Sequence, residues 1–150
     1  MSDLVYFEDV EVGRVHCFGR YAVTKEEIVE YARQFDPQPF HVDEEAARQS
    51  MFGGLVASGW HTGAMLMRMV CEHAIPGSAT TGALGFDDLK WLKPVRPGDV
   101  LAVETRVKEK IASRSRHDLG TVKIESRVLN QHGEAVMTLT SLVLYRRRHA

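Results

Sequence analysis

Cysteine is nearly missing from this chain: Cys17 and Cys71 are the two in 150 residues, far apart and in unlike contexts. They form neither a disulfide framework nor a metal-ligand spacing, and a reducing cytoplasm is the compartment they suggest. No stretch approaches the ~18 consecutive apolar residues that a membrane span needs. The opening "MSDLVYFEDVEVG" is acidic and without an apolar run, which argues against a signal peptide. Excess charge of either sign is lacking too. With 19 Lys and Arg against 20 Asp and Glu, the formal net charge is −1, and the strongly basic face expected of a nucleic-acid binder is excluded. The basic cluster "RRRH", Arg146 to His149, reads as a frayed, solvated tail. Repeats, low-complexity tracts and linkers are also absent.

What is present fits one domain over residues 1–150, long enough to bury about two-thirds of its unfolded surface. Hydrophobic content of 44% and charged content of 26% are ordinary for a globular protein. "VHCFGRYAV", 15–23, reads as a first strand. "TKEE" follows as a capping box, with Thr24 as N-cap and Glu27 three residues on. Ile28, Tyr31, Ala32 and Phe35 then fall on one helical face. Pro37 stops that helix, because the residue before a proline is pushed out of the helical region. Asp43 caps a second short helix, "EEAARQ". From Gly59 to about His73 a helix of roughly 22 Å carries Trp60, Met65, Met67 and Met69 on more than one face, which predicts a buried helix whose tryptophan and methionines belong to the core.

The second half changes period. Leu101, Val103 and Val107 alternate with polar residues, as do Val122, Ile124 and Val128, the mark of strands wet on one face. "RPGD" at 96–99 and "NQHG" at 130–133 supply turns for antiparallel hairpins. "TTGALGFDDLKWL" and "EAVMTLTSLVLYR" add two more strands. A helix-rich half followed by an antiparallel sheet of at least four strands packs most economically as a curved sheet round the long helix, an α+β architecture. Such a sheet leaves edges, and pairing two copies edge to edge makes a homodimer the expected assembly.

The candidate chemistry lies in "FDPQPFHVDEEAA", 35–47. Asp36 and His41 are held five positions apart by Pro37 and Pro39, and a carboxylate beside an imidazole can share acid and base duties near neutral pH. A surface turn in which Asp36 merely binds backbone amides is the alternative. In "LVASGWHTG" the small residues Ala57, Ser58 and Gly59 lead into the long helix, whose first amides are unpaired. The Gly59 amide can receive an oxyanion there, although small residues also serve plain packing. His61, His73, His117 and His132 lie in different elements without ligand spacing, so no metal site is expected. Lys90, Lys93 and Arg96 read as a solvated strand end, with the phosphates of coenzyme A as the other reading.

These residues resemble the MaoC-like dehydratase family, which includes the (R)-specific enoyl-CoA hydratases. The resemblance rests on "FDPQPFHVDEEAA", "FGGLVASGWHTGAM" and "KPVRPGDVL", and spans most of the chain in order. It implies the hot-dog fold, a curved antiparallel sheet wrapped round a long buried helix. It further implies an acid/base pair at Asp36 and His41 and an oxyanion-binding amide at Gly59, with Ser58 and Gln38 beside the substrate. Reversible hydration of a trans-2-enoyl thioester of coenzyme A or acyl carrier protein is the activity implied, with no metal, flavin or nicotinamide cofactor. Gln38 stands where the motif usually has asparagine, and Ser58 where a histidine commonly precedes the glycine. Two other classes stay open: a thioesterase, and an acyl-thioester-binding protein without turnover.

Overall fold

The structure, a computed structural model, describes residues 4–148. Five antiparallel strands form one sheet in the order β1 (Val15–Ala22), β3 (Val100–Ala112), β4 (Leu119–Leu129), β5 (Ala135–Arg146) and β2 (Thr80–Trp91). Between β1 and β2 the chain builds α1 (Lys25–Phe35), the single turns α2 (Pro39–Val42) and α3 (Glu44–Arg48), and the long α4 (Gly59–His73). This is the α+β, sheet-and-helix arrangement expected of a hot-dog fold. All five strands fall on the segments read as strands in the sequence, whereas the single turn α2 was not read there.

Period-2 alternation sends Leu101, Val103, Val128, Met137 and Leu139 to one side, where Val103 pairs with Val128 and Val128 with Met137. Against them α4 lays Met65, Leu66 and Met69, and α1 adds Ile28. Burying each of these side chains is worth roughly 1.5–3 kcal/mol. β1 passes α4 so closely that a Cβ on Gly19 would run into the Met69 side chain. Gly19 has φ +89° and sits in a bulge between Phe18 and Tyr21, so the glycine supplies both the clearance and the backbone conformation.

Three expectations are corrected. Trp60 is 62% and Met67 49% exposed, because a single sheet covers one face of α4 and leaves the opposite face open. Phe35 is 68% exposed; it ends α1 beyond the core and packs on Tyr31, ring centroids 5.1 Å apart. The basic cluster is not frayed over its described part. Arg148 donates its backbone N–H to Glu8 at 2.8 Å and pairs with Asp9, while Arg147 lies over the Phe7 ring. His149 falls outside the described residues. Among the described residues no helix is long and apolar enough to cross a membrane.

Candidate functional site

Helix α1 ends where the sequence says it must, and Asp36 is its C-cap residue, its N–H bonded to the Ala32 carbonyl. Gln38 and Pro39 then start α2, which turns His41 back toward Asp36. His41 is buried, 5% exposed. Its Nδ1 donates to the Val56 carbonyl at 2.6 Å, an assignment that follows because a carbonyl can only accept. That bond fixes ring orientation and turns Nε2 to Asp36 Oδ2, 3.4 Å away. The sequence holds no signal for Val56, whose contribution is a backbone atom.

Two further donors converge on the carboxylate. Ser58 Oγ donates to Asp36 Oδ2 at 2.7 Å, and Gln38 Nε2 to Oδ1 at 2.6 Å. Burial by itself raises the Asp36 pKa, but these two bonds and the neighbouring His41 outweigh it and hold the carboxyl below its ordinary value of 3.8. Asp36 is thus a carboxylate at neutral pH, with its proton-accepting oxygens free of a proton. A carboxyl with a depressed folded value contributes stability above its unfolded value and loses it as pH falls through the folded one. We therefore expect wild type to exceed Asp36→Asn in stability at pH 7, by a margin that narrows on acidification below 3.8. Urea unfolding at both pH values measures this; a margin that widens in acid contradicts the depressed value.

Ser58 is the N-cap residue of α4 yet makes no capping bond, its hydroxyl being used on Asp36. The amides of Trp60 and His61, which an N-cap side chain usually covers, are consequently left without that acceptor, and the Gly59 amide before them has no partner within the helix in any case. Asp36, Gln38, His41 and Gly59 all line one cavity of about 650 Å³. Its walls are Phe40, Phe52, Val56, Trp60 and Trp91. Trp91 donates its indole N–H to the Gly59 carbonyl at 2.9 Å, and its ring occupies the space that a side chain on residue 59 would need. Neither Trp91 nor Phe52 stood out in the sequence; Trp60 did, as a core residue.

Of the basic residues near the strand start, Lys93 and Arg96 line the cavity while Lys90 does not. Lys93 is paired with Glu134, and Arg96 donates to the Phe52 carbonyl at 2.6 Å. Among the described residues no three His, Cys, Asp or Glu side chains gather as metal ligands.

The chain as a whole is similar to several known proteins. The family model described as "MaoC like domain" matches residues 11–128. An uncharacterized protein of Bacillus subtilis, YdeM, is 31% identical over 124 residues, 83% of this chain and 86% of its own. A 3-hydroxybutyryl-CoA dehydratase of Methylorubrum extorquens is 33% identical over 115 residues, 75% of this chain and 70% of its own. A crystal structure of a MaoC-like dehydratase from Rhodospirillum rubrum superposes with a TM-score of 0.87 at 44% identity, covering 97% of this chain and 99% of that one.

Proposed function

The chain belongs to the MaoC-like domain family, and on that premise we propose that it catalyses reversible hydration of a trans-2-enoyl thioester, carried by coenzyme A or acyl carrier protein. The observation that carries the reading is the pairing of half-buried Asp36 with buried His41, 3.4 Å apart, opening on the same cavity as the uncapped start of α4. A dehydratase of a 3-hydroxybutyryl thioester among the relatives supports the same class.

A water on the cavity side is held by both the Asp36 carboxylate and His41 Nε2. Its oxygen attacks C3 of the enoyl group as Asp36 takes one of its protons, and the C2=C3 π electrons shift toward the thioester. The Gly59 amide stabilises the enolate oxygen that results. Protonated His41 delivers its Nε2 proton to C2, the C2–H bond forms, and the thioester carbonyl is restored. The proton on Asp36 then passes to His41 and resets the pair. The Val56 carbonyl keeps His41 protonated at Nδ1, so Nε2 is the nitrogen that exchanges. The cavity's aromatic walls offer the apolar surface that binds the acyl group. The exposed thiols Cys17 and Cys71 fit a reducing cytoplasm.

A panel of enoyl-CoA thioesters, followed at the absorbance of the conjugated thioester with chiral analysis of the product, tests the reading. Loss of conjugation with a 3-hydroxyacyl product supports it. Release of free thiol, or binding without any absorbance change, overturns it in favour of thioester hydrolysis or a binding protein.

The functional unit in this reading is a homodimer. β2 is an edge strand with Leu84, Phe86 and Trp91 exposed, a long apolar edge of the kind that proteins cover. Light scattering during size-exclusion chromatography is expected to give about twice the 16.9 kDa chain mass; a monomer at micromolar concentration removes the dimer.

A further inference from the structure

Behind the start of α4, on the side away from the cavity, lies a second pair of titratable groups to which the hydration scheme assigns nothing. His61 is 2% exposed and its Nε2 is 3.0 Å from Glu27 Oε1. The same oxygen accepts the hydroxyl of Tyr21. The His61 ring stacks on Tyr31 with centroids 4.5 Å apart and planes within 9°. Its Nδ1 is buried without a hydrogen-bond partner, which costs stability unless another benefit offsets it. Burial alone raises the Glu27 pKa, but the bonds from Tyr21 and His61 bring it below the ordinary value, so an ionised carboxylate anchors the cluster.

The placement of this cluster is what gives it meaning. Glu27 and Tyr31 belong to α1, which ends at Asp36. His61 belongs to the first turn of α4, two residues after Gly59. The acid of the proposed site and its oxyanion donor therefore stand on two different helices. Those helices are tied together by Ser58–Asp36 at the end of α1 and by Glu27–His61–Tyr31 further back along it. A single hydrogen bond leaves the start of α4 free to pivot about it, whereas two ties to separate points along α1 do not. Misplacement of a reacting group by ~1 Å can cost about 10²-fold in rate.

We propose that His61 and Glu27 are positioning residues, a brace between α1 and α4 that sets the Gly59 amide against the Asp36–His41 pair. The assignment rests on the hydration reading above, and it has a readout independent of turnover. Trp91 donates its indole N–H to the Gly59 carbonyl and so reports where Gly59 lies. The chain has two tryptophans, and Trp60→Phe assigns the two indole N–H signals in a ¹H–¹⁵N spectrum.

The experiment compares wild type, His61→Leu and His61→Gln. Leucine fills the space without a donor, while the glutamine amide can reach Glu27 as Nε2 does. His61→Leu is expected to shift the Trp91 indole signal and to lower kcat at least 10-fold with KM changed less than 3-fold. His61→Gln is expected to restore both to near wild type. An unmoved Trp91 signal in His61→Leu overturns the brace, as does a His61→Gln variant no better than His61→Leu. Should wild type hydrate no enoyl thioester, the hydration reading fails by itself and the Trp91 signal alone decides the brace. If His61→Leu does not fold, Glu27→Ala serves, since Glu27 is partly exposed; it is expected to shift the same signal, and no shift overturns the proposal.

Discussion

Asp36→Asn is expected to keep the fold and to lower the hydration of crotonyl-CoA by about 10²–10⁴-fold, the range for losing one general acid–base group. The substitution is isosteric, and the surroundings can adapt. Ser58 can rotate its hydroxyl from donor to acceptor, and Gln38 can present either end of its amide, so both contacts to Asp36 survive in altered polarity. What cannot survive is the capacity to take a proton from water, because an amide is not a base. Steady-state rates beside circular dichroism separate lost chemistry from lost folding. An undiminished rate in a folded variant takes Asp36 out of the scheme.

Gly59→Ala carries the second large effect, and here stability and activity should part. Gly59 does not have a positive φ, and alanine is the better helix former by about 0.8–1.0 kcal/mol in a helix interior. Its methyl, however, enters the space held by the Trp91 indole, meeting Cδ2 and Nε1 at 2.7 Å. The ring must swing away, and its bond to the Gly59 carbonyl goes with it. The displaced tryptophan then occupies the cavity that the acyl group needs. Alanine keeps the backbone N–H, so the loss comes from the amide being pushed off the oxyanion position and from the blocked cavity. An oxyanion donor is worth about 2.7–4 kcal/mol of barrier, so a fall of up to about 10²–10³-fold in kcat is expected, with altered tryptophan fluorescence as the sign that Trp91 has moved. A shifted fluorescence spectrum with an unchanged rate would show that the position of Trp91 does not matter to turnover.

Most of the architecture was readable because local chemistry and global packing agree in it. Strands alternate because one face is wet, α1 stops because Pro37 follows Asp36, and α4 runs over the residues its apolar density marks. Exposure was read less well. The pattern of Trp60 and Met67 says "apolar", but not which side of the helix receives a sheet. The loop holding Asp36 and His41 was legible as a unit, since its prolines confine both residues within a few positions. The partners of that pair were not. Ser58 lies 22 positions from Asp36, and no periodicity connects them. Glu27 illustrates a local rule losing to a tertiary one. Thr24 does cap α1 through the Glu27 amide, but the Glu27 side chain turns away to Tyr21 and His61, the latter 34 positions on. Sequence spacing predicted the half of the capping box that backbone geometry decides and missed the half that a distant histidine decides.

The hydroxyl that Ser58 lends to Asp36 has a consequence for anyone seeking a hardier variant. A serine satisfying its own helix typically contributes about 1 kcal/mol, and this chain forgoes that gain. Aspartate at 58, the substitution a thermostabilisation screen would favour on general grounds, would cover the bare amides and set a second negative charge against Asp36. The place where the helix lacks its cap is thus the place where turnover tolerates a new charge least, a trade between durability and catalysis written into one side-chain rotamer.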